Sequence, residues 1–153
     1  MVKESYKYVG KPCISVDAKR KVTGEAIYVG DLALDNALVG KIVRSPHAHA
    51  RIQQIDVSRA RKVEGVRAVI TAEDLPDIRM GSGIYDQPIL AKEVVRHVGE
   101  PVVAIAGVSE RACEEALKSI DIVYEPLPAV FDETHAIAED QQVILHPDLS
   151  KYM

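Results

Sequence analysis

The segment Val102-Val-Ala-Ile-Ala-Gly-Val108 constrains the fold more than any other part of this chain. Seven consecutive residues without a polar side chain leave no face for water, so the run predicts a strand buried on both sides. Such a strand needs cover, and the residues that follow supply it. Ser109 predicts a helix cap and Glu110 stands favourably in the first turn. Ala112, Cys113, Ala116, Leu117 and Ile120 then recur at helical spacing. Asp121–Glu125 alternates as a strand that Pro126 and Pro128 close. The unit is strand, helix, strand.

Upstream, the pattern is that of short strands with firm punctuation. Residues 1–16 lack a period and read as an N-terminal arm, and structure is expected to start near Asp17, with a turn, a short strand around Glu25–Val29 and another turn at Gly30. Ala37–Arg44 is rich in β-branched residues and reads as a strand ended by Ser45-Pro46. Arg51–Val57 reads as a second strand, and the break in its alternation at Gln53-Gln54 predicts a bulge. Ser58 predicts a short helix through Val63, stopped at Glu64-Gly65. Val66–Ile70 is a compact apolar strand, and Thr71-Ala-Glu-Asp74 has the spacing of a capping box cut short by Pro76. Residues 77–88 read as a loop of about a dozen residues, a length usually tied to function or docking. Few helices among many short strands predict an α+β fold.

Composition narrows the function. At 153 residues, 47% hydrophobic and 27% charged, the chain has the size and mixture of one globular domain able to bury a core. Its net charge of −4 lacks the basic footprint of a sequence-independent nucleic-acid binder. No window approaches about 18 consecutive apolar residues, and the polar start MVKESYKYVGK lacks the apolar stretch of a secretory signal. No membrane span and a cytoplasmic location are the expectation. Cys13 and Cys113 lie far apart without a CxxC motif, so zinc-finger and iron–sulfur ligand sets are missing. Aromatic residues make up only 5%, which disfavours a self-contained small-molecule site.

Three groups invite a chemical reading. His47 and His49 stand at i and i+2, where a strand would point both imidazoles to one face as potential metal ligands. Nothing nearby completes a ligand set, so a turn after Ser45-Pro46, hydrogen-bonded to backbone or meeting a partner, is the preferred reading. Glu100, in Gly99-Glu100-Pro101, could pair with Asp86 as an acid and base, but spacing on two loops does not fix their separation, and both read as exposed carboxylates. Cys113 reads as a small core residue rather than a nucleophile. Phosphate-cradling glycine loops and the GxSxG elbow are absent from the sequence. No catalytic, cofactor-binding or metal-ligating residue is assigned.

An ordered set of segments carries a resemblance. Val22–Tyr28 with Asp31, Arg44-Ser-Pro-His-Ala-His-Ala-Arg-Ile52, Gly65–Val69, Asp86–Ala91, Val98-Gly-Glu-Pro-Val102 and Tyr124-Glu-Pro-Leu-Pro-Ala129 follow one another in unbroken order. Together they resemble the N-terminal α/β-hammerhead domain of the molybdenum-binding large subunit of the xanthine dehydrogenase and aldehyde oxidase family. That family includes the large subunits of aerobic carbon monoxide dehydrogenase and 4-hydroxybenzoyl-CoA reductase. The resemblance implies a mixed sheet with a few packed helices, spanning residues 17–135 between the arm and an exit segment at 136–153. It further implies a parent oxidoreductase with molybdopterin in domains that follow the hammerhead in the same polypeptide, and iron–sulfur clusters and FAD on partner subunits or domains. No residue of this chain matches the family's pterin loops or its catalytic glutamate, so the chain alone is expected to be inactive, a structural and assembly domain. A free-standing hammerhead binding module is the alternative. The candidate interface residues are Arg44, His47, His49 and Arg51 around the Ser45–His49 turn, with Tyr85, Asp86 and Gln87 in the long loop.

Overall fold

In the computed structural model, which describes residues 6–138, 140 and 142–147, the chain divides into two compact units between Asp35 and Asn36. Among its described residues, the first unit holds one short helix, α1 (Ala18–Val22), and a single 3₁₀ turn at Val29–Asp31. None of its described residues is buried. The strand expected at Glu25–Val29 does not form there. Residues 25–28 make no ladder, and Asp31 instead caps the 3₁₀ turn by accepting the Tyr28 N–H at 2.9 Å. An aspartate three residues after Tyr28 favoured a local turn that the strand pattern did not reveal.

The second unit is built on the apolar run. Strand β7 (Pro101–Gly107) is the middle of a three-stranded sheet, between β1 (Val39–Arg44) and β3 (Val66–Ile70). Helix α2 (Glu110–Lys118) packs on this sheet through Ala112, Cys113 and Ala116. Ser109 Oγ accepts the Ala112 N–H at 3.2 Å, as its position predicts. The helix lies very close because Gly107 has no side chain, since a Cβ there would stand 2.9 Å from Cys113 Sγ. Cys113 is fully buried, with its thiol donating to the Val39 carbonyl at 3.2 Å. It is a core residue.

A second sheet is centred on β2 (Ala50–Asp56), between β6 (Val94–Val95) and β8 (Asp121–Pro126). The expected strand, helix, strand unit is present, but its two strands belong to different sheets. The β2–β8 register slips between Ile52 and Gln54, which is the bulge expected at Gln53-Gln54. The described ladders are all antiparallel. Val102, Val103, Ile105, Cys113, Ala50 and Val95 anchor one core cluster. The architecture is the α+β class with few helices.

Two local expectations change. The helix expected from Ser58 is a 3₁₀ turn at Ala60–Lys62 with Arg59, not Ser58, at its N-cap and no side-chain cap, and the Ser58 N–H is held by Asp56 Oδ1 at 2.8 Å. The loop at 77–88 contains a small ribbon, β4 (Arg79–Met80) paired with β5 (Gln87–Pro88). Gly81 permits its turn, because a Cβ there would collide with the Ile84 carbonyl. Two paired residues on each side are too short for period-2 alternation to register in the sequence. The short helix α3 (Glu133–Ala136) follows, capped by Asp132. Only 136–138, 140 and 142–147 of the expected exit segment fall among the described residues.

Candidate functional site

The turn after β1 is closed by its own backbone and by its serine. Ser45 is buried, its Oγ donating to the His47 carbonyl and accepting the His47 N–H, both at 3.0 Å. Its backbone is tied to the segment before β7, with Ser45 N–H donating to the Glu100 carbonyl at 2.9 Å and Gly99 N–H to the Ser45 carbonyl at 2.8 Å. Arg44 Nη1 donates to the Gly99 carbonyl at 2.8 Å. Thus the RSPHAHARI and VGEPV segments, far apart in the sequence, are hydrogen-bonded to each other.

The two histidines do not converge on one point. The His47 ring stacks at a tilt on Tyr124 of β8, with centroids 4.9 Å apart, whereas His49 Nδ1 hydrogen-bonds the Pro128 carbonyl at 2.5 Å. Leu127 N–H also donates to the His49 carbonyl at 2.9 Å, so the turn is fastened to the end of β8. Among the described residues no three His, Cys, Asp or Glu side chains gather as a metal site. Arg51 pairs loosely with Glu125 across the β2–β8 ladder at 3.6 Å, both side chains largely in water.

The second group lies on the ribbon. Tyr85 is 58% exposed at its tip, beside partly exposed Ile84, with Met80 and Ile78 also open to solvent. Gln87 stands opposite Met80 in the ladder. Asp86 accepts from Arg79 Nη1 through its carbonyl at 3.3 Å and places its carboxylate 3.6 Å from His146 Nε2. Arg44, His47, His49 and Arg51 therefore belong to the turn and the β2 sheet, and Tyr85, Asp86 and Gln87 to the ribbon.

Glu100 corrects the sequence reading. It is buried rather than exposed, and its carboxylate accepts the Arg96 backbone N–H. A buried carboxylate requires such a donor, because losing water without replacement costs several kcal/mol. Since Asp86 faces His146 and Glu100 faces Arg96, the two do not form an acid–base pair. Sequence reading also missed Tyr124. Its hydroxyl is buried without a protein partner among the described residues, and burial pushes its ionisation above the usual phenol range. Alternation in β8 foretold the inward side chain, but nothing in the sequence foretold the orphaned hydroxyl.

Two open clefts flank the Lys92-Glu93 segment. One, of about 310 Å³, is lined by Leu75, Ile78, Arg79, Pro88 and Arg96 among others, and one of about 580 Å³ by Ile52, Gln54, Ser58, Arg61 and Asp74 among others. A pterin would need several buried, unspent donors and acceptors converging on it. The buried polar side chains among the described residues, Ser45 and Glu100, are both spent within the chain, and the orphaned Tyr124 hydroxyl stands alone. These residues do not fit a pterin.

The fold and its ordered motifs define a domain class, and comparison with known proteins assigns it. The family model described as "Aldehyde oxidase and xanthine dehydrogenase, a/b hammerhead domain" matches residues 23–128, and the chain belongs to that family. It is 38% identical over 142 residues to a probable xanthine dehydrogenase subunit of Bacillus subtilis, covering 92% of this chain and 19% of that protein. It is 34% identical over 142 residues to the nicotinate dehydrogenase large molybdopterin subunit of Eubacterium barkeri, covering 92% of this chain and 33% of that protein. Among solved structures, carbon monoxide dehydrogenase from Oligotropha carboxidovorans superposes with a TM-score of 0.74 at 36% identity, over 86% of this chain and 17% of that one. The chain thus spans between about a fifth and a third of the length of these curated relatives.

Proposed function

We propose that this chain is the hammerhead domain of a molybdenum-dependent oxidoreductase, a structural and assembly element that is inactive alone. One observation carries the reading: nearly the whole chain aligns with relatives of which it represents about a fifth. In this reading residues 17–135 are the hammerhead and 136–153 leads toward molybdopterin-binding domains of the same polypeptide, with iron–sulfur and FAD components on partner subunits or domains. The contribution of this chain is mechanical. Its buried β7 sheet gives a rigid body, and the ribbon presents Ile78, Met80, Ile84 and Tyr85 to solvent as an apolar docking tip. The Ser45–His49 turn, closed on Glu100 and Pro128, offers a fixed polar contour beside Arg44 and Arg51.

Hydrogen exchange tests this directly. Residues 45–49 and 77–88 are expected to gain protection when the chain is part of a complete subunit carrying the cofactor domains, relative to the chain alone. Equal protection in both settings would overturn the interface assignment and favour a free-standing binding module.

A further inference from the structure

Arg96 is half-buried and reaches three parts of the chain. Its backbone N–H is held by the buried Glu100 carboxylate, its Nη1 donates to the Val94 carbonyl at 3.3 Å, and its Nε donates to the Leu145 carbonyl at 2.8 Å across 49 positions of sequence. The next residue, His146, is met from another side by Asp86 of the ribbon at 3.6 Å, with both side chains less than a third exposed. Two adjacent residues are thus met by two side chains from separate elements, Leu145 through a hydrogen bond and His146 through a looser 3.6 Å contact. The Glu100 carboxylate, buried and outside any acid–base pair, fixes the backbone from which the Arg96 guanidinium extends.

We infer that Arg96 and Asp86 form a two-point clasp that straps residues 144–147 to β6 and the ribbon, with Glu100 as the positioning residue for Arg96. The planar guanidinium suits this task, because its fork engages the Val94 and Leu145 carbonyls together in a fixed relative geometry. A lysine ammonium is a single point charge on a flexible stem and cannot reproduce both directions. The clasp is made within this chain and does not rest on the assembly reading. Its consequence is local: Ile144, 67% exposed, is held in the part of the molecule that carries the ribbon residue Asp86.

Backbone ¹⁵N relaxation on the chain tests the clasp. Residues 142–147 are expected to show order parameters near those of rigid backbone, about 0.85, falling below about 0.6 in Arg96→Ala and in Arg96→Lys while β7 stays unchanged. Asp86→Ala is expected to produce a smaller fall at 146–147. Glu100→Gln retains an oxygen acceptor for the Arg96 N–H and keeps the segment ordered, whereas Glu100→Ala loosens it as Arg96→Ala does. Should Glu100→Ala fail to fold, the Arg96 variants still decide. Residues 142–147 flexible in the unsubstituted chain, or equally ordered in Arg96→Ala, would overturn the inference.

Discussion

The two three-stranded sheets are alike in size and opposite in construction. In the β1–β7–β3 sheet the central strand is buried along most of its length, and α2 covers it through alanines and a cysteine. In the β6–β2–β8 sheet the central strand buries only Ala50 fully, carries Arg51, Gln53 and Gln54 to solvent, and breaks register at its bulge. The first sheet is a packed body. The second, with the Ser45–His49 turn leading into it, holds most of the polar and aromatic features that set this domain apart, including His49, Tyr124 and the loose Arg51–Glu125 pair. The difference teaches that two sheets sharing one core cluster can be built differently, one buried along its central strand and the other burying one face and carrying polar groups on the other.

Substitutions can break that contrast. The largest effect is expected in the first sheet. Val103, fully buried in β7, leaves a cavity when cut to alanine, and denaturant unfolding should show a loss of about 2 kcal/mol. A loss near zero would mean that this sheet is not the rigid body. A smaller effect of opposite sign is expected in the second sheet. Tyr124→Phe removes a buried hydroxyl that has no protein partner among the described residues, so stability should rise by about 1 kcal/mol at neutral pH.

The same substitution has an alkaline signature. Burial raises the folded-state pKa of Tyr124 above its unfolded value, so the native state favours the neutral phenol. That contribution is fully present below the unfolded value of about 10 and is lost as pH rises through the folded one. Tyr124→Phe should therefore flatten the decline in thermal midpoint above about pH 10. An unchanged decline would assign it to other groups. The smallest effect is expected for Arg51→Ala, whose exposed ion pair with Glu125 should change unfolding stability by less than about 0.5 kcal/mol. A larger loss would show that the exposed face of this sheet also carries stability.

How far the sequence could be read follows the same division. The core strand in the run at Val102–Val108, the Ser109 cap, the Gln53-Gln54 bulge and the buried Cys113 were legible, because each depends on neighbours within one element, although β7 ends at Gly107 and Val108 is half exposed. The Thr71–Asp74 capping box was legible for the same reason, and it forms with Asp74 holding the Thr71 N–H at 2.8 Å. Glu25–Val29 misled because β-branched residues signal a strand only where a partner strand exists. The paired ribbon in residues 77–88 was too short to announce itself. At the candidate site, the motif residues of the turn were legible, but the burial of Glu100 and the reach of Arg96 were not.

By itself, the sequence determined the class of fold, the core strand with its covering helix, and the family whose ordered motifs it carries. Tertiary structure alone decided that the strands flanking α2 enter different sheets, that Glu100 is buried on the Arg96 N–H, and that Tyr124 keeps an unpartnered hydroxyl among the described residues. The physical reason is range. Periodicity, capping and turn chemistry act over a few residues and are written in adjacent letters, whereas burial and pairing depend on which distant segments exclude water from one another.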